Sequence, residues 1–142
     1  MAIRFNFQKH VRLSNRRVLK EFLKGIFLKE GIQLGDLEYV FCDDNYILNV
    51  NQTFLQHDYF TDIITFDMTE PGSKFISGEI YISVDTVTTN AIKFQTSFIN
   101  ELHRVMFHGV LHLCGYNDKS EKEKRAMRGK ENHYLAMFHG KH

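Results

Sequence analysis

Between residues 98 and 113 the apolar side chains fall at intervals of three and four: Phe98, Leu102, Val105, Met106, Gly109, Val110 and Leu113. That spacing winds them onto one stripe of an α-helix, and so continuous a stripe is stable only when buried. A chain carrying it must supply a second apolar layer. Residues 2–7 alternate, with Ile3, Phe5 and Phe7 on one side, which reads as a strand. Residues 37–42, Asp62-Ile63-Ile64-Thr65-Phe66 and Glu79-Ile80-Tyr81-Ile82-Ser83-Val84 are three further strand candidates, rich in β-branched and aromatic side chains.

Helices fit between these strands. Ser14 or Asn15 is placed to cap a helix carrying Val18, Leu19, Phe22, Leu23, Ile26 and Phe27, with Gly31 as its stop. Asp43 or Asp44 can cap a second, with Tyr46, Ile47, Val50 and Phe54. Pro71-Gly72 marks a turn. Helical character resumes at Asp85, interrupted by the polar run Thr86 to Asn90; Gly115 is placed to end the striped helix, and a last helix covers 120–137. The chain has one proline and no repeat or low-complexity tract to divide it. The expectation is one α+β domain over 1–142: a mixed four-stranded sheet packed against helices.

The charge is nearly balanced, 18 Lys plus Arg against 17 Asp plus Glu, so a histone-like tail is excluded. The distribution is uneven, however. Arg4, Lys9, Arg12, Arg16, Arg17 and Lys20 meet no acid in the first twenty residues, and Lys119, Lys122, Lys124, Arg125, Arg128 and Lys130 crowd 119–130. If the two basic ends meet they form a phosphate-binding patch; otherwise they are two solvated helix faces. No run approaches 18 apolar residues, so no conventional membrane span is expected. Met1-Ala2-Ile3-Arg4-Phe5 lacks the order of a signal peptide. Cys42 and Cys114 are too few for a disulfide scaffold or a four-cysteine metal site and read as reduced packing residues.

His108 and His112 stand four apart on the striped helix, on a face away from the stripe. Two imidazoles so placed can hold one divalent ion. Past Gly115 the chain reverses through Tyr116 and Asn117 and delivers Asp118, whose carboxylate can be a third ligand, leaving a fourth position for water or substrate. Ordinary surface or helix-capping histidines are the competing reading. No Glu follows His108, so the HExxH peptidase motif is absent. The two-histidine, one-carboxylate set also suits nonheme iron.

The string His108-Gly109-Val110-Leu111-His112-Leu113-Cys114-Gly115-Tyr116-Asn117-Asp118 resembles the HGxLHLxGYDH signature of the YbeY family of rRNA maturation factors. Thr61-Asp62-Ile63-Ile64-Thr65-Phe66 is similar to that family's TDVLSF, and Gly78-Glu79-Ile80-Tyr81-Ile82-Ser83 to GDIxIS; Asn51 falls at a family asparagine. The resemblance covers roughly residues 50–118. It implies a cytoplasmic single-strand-specific endoribonuclease that matures the 3′ end of small-subunit ribosomal RNA and serves ribosome quality control. Its implied metal, held by His108, His112 and residue 118, is zinc first, with nickel, iron or manganese behind it. The implied partners are single-stranded ribosomal RNA and the small subunit or its assembly factors, with no membrane and no DNA. The alternative is a noncatalytic ribosome-assembly factor with a structural metal.

Two positions depart from the family pattern. Asp118 replaces the family's third histidine, with Asn117 before it, and Leu55 takes the place of an arginine near the cleft. The phosphate-facing cation must then come from elsewhere, with Arg104 or the 119–130 flank the candidates; Arg104 can equally bridge Glu101 or Asp118. Thr61 and Asp62 can orient substrate, Asp62 being equally a strand-end residue, and no general base stands out. Asn51 reads as a structural tie, and Tyr116 either stacks on a base or packs around the Gly115 turn. Cys114 lies off the histidine face, and His139 and His142 read as tail residues.

Overall fold

A computed structural model describes residues 2–57 and 61–140. Four strands, β1 (Ile3–Phe7), β2 (Leu34–Cys42), β3 (Ile63–Asp67) and β4 (Ile76–Ser83), form one mixed sheet in the order β1-β2-β4-β3. The pairs β1–β2 and β2–β4 are parallel, whereas β3 joins the edge antiparallel to β4. Five helices surround it: α1 (Arg16–Lys29), α2 (Asp44–Leu55), α3 (Val84–Lys93), α4 (Phe98–Leu113) and α5 (Glu121–Phe138).

The period of two along β2 divides the interior. Leu37, Tyr39 and Phe41 face α4 and join the larger core, while Cys42 faces α2 and joins Ile47, Val50 and Ile64 in a smaller one. On α4 the predicted stripe is buried, with Leu102, Met106 and Val110 fully excluded from solvent. The helix lies so close to the sheet that a Cβ on Gly109 would stand 2.8 Å from Ile80 Cδ1 and 3.1 Å from Ile63 Cδ1. Glycine between the two histidines thus lets α4 pack this closely without displacing the Ile80 side chain. Among the described residues no helix is long and apolar enough to cross a membrane.

Several boundaries move for identifiable reasons. Asn15 occupies the N-cap of α1 in a left-handed conformation and makes no side-chain cap bond, so the expected capping does not occur there. Asp43 caps α2 as anticipated, accepting from the Tyr46 N–H. Helix α3 starts at Val84, because the Ser83 hydroxyl at the end of β4 caps it by accepting from Thr86 N–H; Asp85 lies in its first turn. The strand expected to reach Val84 thus ends one residue earlier.

Candidate metal centre

Helix α4 ends in a Schellman turn. The Tyr116 N–H donates to the Leu111 carbonyl at 3.0 Å and the Gly115 N–H to the His112 carbonyl at 3.0 Å. Gly115 has φ +104°, a conformation that suits glycine. The chain then doubles back, and at Ser120 and Glu123 a reciprocal capping box starts α5. Between these two fixed points Asp118 is returned to the histidines.

One Asp118 oxygen lies 3.3 Å from His108 Nε2 and the other 3.5 Å from His112 Nε2. The imidazole rings are 4.8 Å apart, centre to centre, and steeply inclined. One ligand atom from each of the three residues lies within 4.8 Å of the other two. Donors held at about 2.1 Å from a tetrahedral ion stand ~3.4 Å from one another. Each imidazole faces its own Asp118 oxygen at close to that spacing, and both separations exceed the roughly 2.7–2.9 Å of a good charge-assisted hydrogen bond. The donor set therefore fits a divalent cation better than it fits a simple ion pair.

What stands behind His108 supports the same reading. Its Nδ1 lies 2.6 Å from Glu131 Oε2, a carboxylate of α5 that is almost completely buried. With the Nδ1 proton donated to Glu131, Nε2 presents its lone pair toward Asp118, which is how carboxylates orient metal-ligating histidines. His112 is braced in turn by a hydrogen bond with the Tyr116 backbone, and burial and the neighbouring His108 together hold its pKa down, favouring the neutral imidazole a metal requires.

Arg104 closes this network. Its Nε and Nη2 donate to Glu101 at 3.0 and 2.5 Å, and Nη1 donates to the other oxygen of Glu131 at 2.9 Å. Burial works against both charges. For Glu131 the penalty is overcome by the His108 hydrogen bond and the Arg104 charge, which leave its pKa below the usual value; for Arg104 the two carboxylates raise it. Of the partners foreseen for Arg104, the structure selects Glu101, adds Glu131, and leaves Asp118 to the histidines.

The three candidate ligands open onto a cavity of about 680 Å³ between α4 and the sheet edge at β3, with Thr61, Asp62, Thr65 and Asp67 on its far wall. Asp62 uses its backbone carbonyl to accept from Ser83 N–H, so it ends the strand pairing while its side chain lines the cavity. Burial raises its pKa, with Arg104 and His108 pulling the other way.

The other candidate residues make contacts of their own away from the three ligands. Buried Asn51 accepts backbone hydrogen bonds from Gln56 and His57 at the end of α2. Leu55 is the last residue of that helix. The Tyr116 hydroxyl donates to Glu30, which also receives Lys130 and Tyr134. Cys114 caps α4 and burial pushes its thiol up to about 12; like Cys42 it is free. His139 is not a loose tail residue: it caps α5 and its Nε2 lies 3.1 Å from His103 Nδ1. His142 lies outside the described residues.

Sequence reasoning missed Glu131. The signal was present, because Glu131 sits four residues after Met127 and three before Tyr134, both buried, so a carboxylate occupies a core position of α5. Such a group requires a partner.

Comparison with known proteins agrees with this geometry. The family model described as endoribonuclease YbeY matches residues 3–139. A protein from Parabacteroides distasonis named endoribonuclease YbeY is 50% identical over 123 residues, covering 87% of this chain and 85% of its own length. One of the same name from Flavobacterium johnsoniae is 44% identical over 137 residues, 96% of this chain and 97% of its own. The solution structure of TM1509 from Thermotoga maritima superposes with a TM-score of 0.68 at 30% identity, over 99% of this chain and 91% of that one. A family-model match over residues 3–139 and relatives at 44 to 50% identity over most of the chain place it in the YbeY endoribonuclease family.

Proposed function

We propose that the protein is a zinc-dependent endoribonuclease of the cytoplasm that cuts single-stranded ribosomal RNA, acting on the 3′ end of the small-subunit RNA, and that residues 1–142 fold as a single domain of this kind. Relatives carrying the endoribonuclease name support the RNA substrate. The observation that carries the metal is the spacing of His108, His112 and Asp118 with Glu131 seated on the outer nitrogen of His108. Two imidazoles and a carboxylate suit zinc ahead of nickel, iron or manganese.

His108, His112 and Asp118 would hold the ion. When bound, it would polarise a phosphoryl oxygen and lower the pKa of water in its open position. The rest falls to the chain. Glu131 and Tyr116 hold the imidazoles in register, so the ligand geometry is set before substrate arrives. Asp62, across the cavity and with its pKa raised by burial, is placed to take a proton from the attacking hydroxyl. Arg104, braced by two carboxylates and on the cavity wall, offsets their charge and steadies the floor.

The test uses untagged protein and an unstructured RNA, with and without chelator, beside His112→Ala. Cleavage that is lost on chelation and in the variant, with about one zinc per chain by elemental analysis, is the expected result. Stoichiometric RNA binding with no products would favour the noncatalytic assembly factor. Product ends separate the chemistry: a 2′,3′-cyclic phosphate reports attack by the ribose hydroxyl, a 3′-hydroxyl reports attack by water.

A further inference from the structure

An RNA strand brought to this cavity meets an electronegative surface. Asp62, Asp67 and Asp118 line it, and Glu101 and Glu131 lie just behind. Beyond the ion proposed at the scissile phosphate, a cation is needed to hold the flanking strand, and the obvious one is engaged: all three nitrogens of Arg104 bond to carboxylates, and only 14% of its side chain is exposed. Among the described residues Lys119, Lys122 and Arg125 make no ion pair, so no partner fixes them beside the candidate ligands, whereas the other cations of α5 are restrained. Lys130 is tied to Glu30 and lies over the Tyr116 and Tyr134 rings. Lys124 pairs with Glu121 one turn back on its own helix.

Arg128 differs. It stands one helical turn before Glu131, and its Nε is 3.6 Å from Glu131 Oε1, too far for a hydrogen bond and on an oxygen already taken by Arg104 at 2.9 Å. Its side chain is 61% exposed, and that loose approach is its one ion pair among the described residues. The other Glu131 oxygen bonds His108, so Arg128 is anchored two links from a candidate metal ligand with its guanidinium fork open to solvent. The basic N-terminal flank is not an equivalent source. Helices α1 and α5 run antiparallel, with Phe22 against Tyr134 and Phe138 and Glu30 against Lys130, so Arg16 and Arg17 lie at the opposite end of α1, about 20 Å away by helical rise. Arg16 and Arg17 therefore do not join the basic flank of α5.

We infer that Arg128, which does not line the cavity but approaches the Glu131 carboxylate behind it, is a substrate-contacting residue, its guanidinium gripping a backbone phosphate that flanks the scissile one. This rests on the endoribonuclease reading above. A phosphate offers two acceptor oxygens to the arginine fork, a better partner than the shared carboxylate it would leave.

The test measures binding of as-purified protein to a fluorescent single-stranded 2′-O-methyl RNA by anisotropy across a salt series, with strand integrity checked on a gel. Arg128→Gln should weaken binding several-fold whatever the sequence and reduce the slope of log K against log salt by ~0.7, the value of one single-strand phosphate contact. Arg128→Lys should restore the slope with incomplete recovery of affinity, Arg17→Gln should change neither, and thermal midpoints should stay at wild type. Unchanged affinity and slope in Arg128→Gln, or an equal loss in Arg17→Gln, overturns the inference. Wild-type protein that cuts natural RNA while Arg128→Gln binds normally sinks this inference alone. Protein that binds but never cuts sinks the nuclease reading and leaves Arg128 judged on binding. Protein that binds no RNA refutes both.

Discussion

Glu131→Gln isolates the buried carboxylate from the volume it occupies. In the wild type Glu131 accepts from Arg104 and from His108 at once, and its side chain is 2% exposed. Gln keeps the shape but offers one acceptor oxygen, and its NH₂ must then face either the guanidinium or the imidazole N–H, donor against donor. Breaking a buried charge pair by removing one partner costs about 3–5 kcal/mol. Arg104 keeps both of its bonds to Glu101, so the expected loss is at or below the lower end, about 2–3 kcal/mol. The second consequence is specific to the site: with its outer nitrogen released, His108 is free to rotate or change tautomer, and metal affinity should fall about 10–100-fold. Because the Glu131 pKa is lowered in the fold, its stabilising contribution is fully present above the normal carboxylate range and is lost as pH falls from there through the lowered folded-state value, so variant and wild type should converge under acid. Urea denaturation of the metal-free protein at several pH values gives the first quantity, and competition with a chromophoric chelator gives the second. A variant that is destabilised yet binds metal within twofold of wild type would refute the orienting role.

Asp118→Ala should lose stoichiometric metal with little change in stability, since the side chain is over a third exposed; Asp118→His should keep the metal, and elemental analysis reads both. Asp62→Asn should leave metal content intact and lower kcat about 10²–10⁴-fold, flattening the acid limb of the pH–rate profile; an unaltered profile rules out its proton-transfer role. Gly109→Ala should cost about 1–3 kcal/mol by overpacking α4 against Ile80, measured as a drop in denaturation midpoint. Burial lowers the His103 pKa to about 4, so it stays neutral in the fold while the unfolded chain protonates near 6.5. Stability should therefore be complete above pH 6.5 and fall between 6.5 and 4, and His103→Phe, which can keep the ring contacts with Phe107 and Phe138, should flatten that fall.

How far the sequence discloses such a site depends on the range of the interaction. Everything governed by spacing within one element was legible: the stripe of α4, the histidine pair on its opposite side, the Gly115 stop and the returning Asp118 all depend on neighbours fewer than a dozen residues away. The strands followed from the alternation of 2–7 and the β-branched and aromatic runs of the rest, but β2 and β4 begin earlier than expected, at Leu34 and Ile76, and β4 ends where the Ser83 hydroxyl caps α3. Glu131 escaped because its partners come from another helix, 23 and 27 residues earlier, and nothing in the local pattern of α5 names them. Yet the pattern did contain a contradiction, a carboxylate at a buried position among Met127, Tyr134 and Leu135. A folded chain tolerates such a group only if charge and hydrogen bonds meet it from elsewhere, and the stripe of α4 leaves one polar face, that of Arg104 and His108, to do so. A violation of one helix's binary pattern therefore points to the functional face of another. In this chain the residue that breaks the pattern of α5 also fixes the orientation of the imidazole on α4.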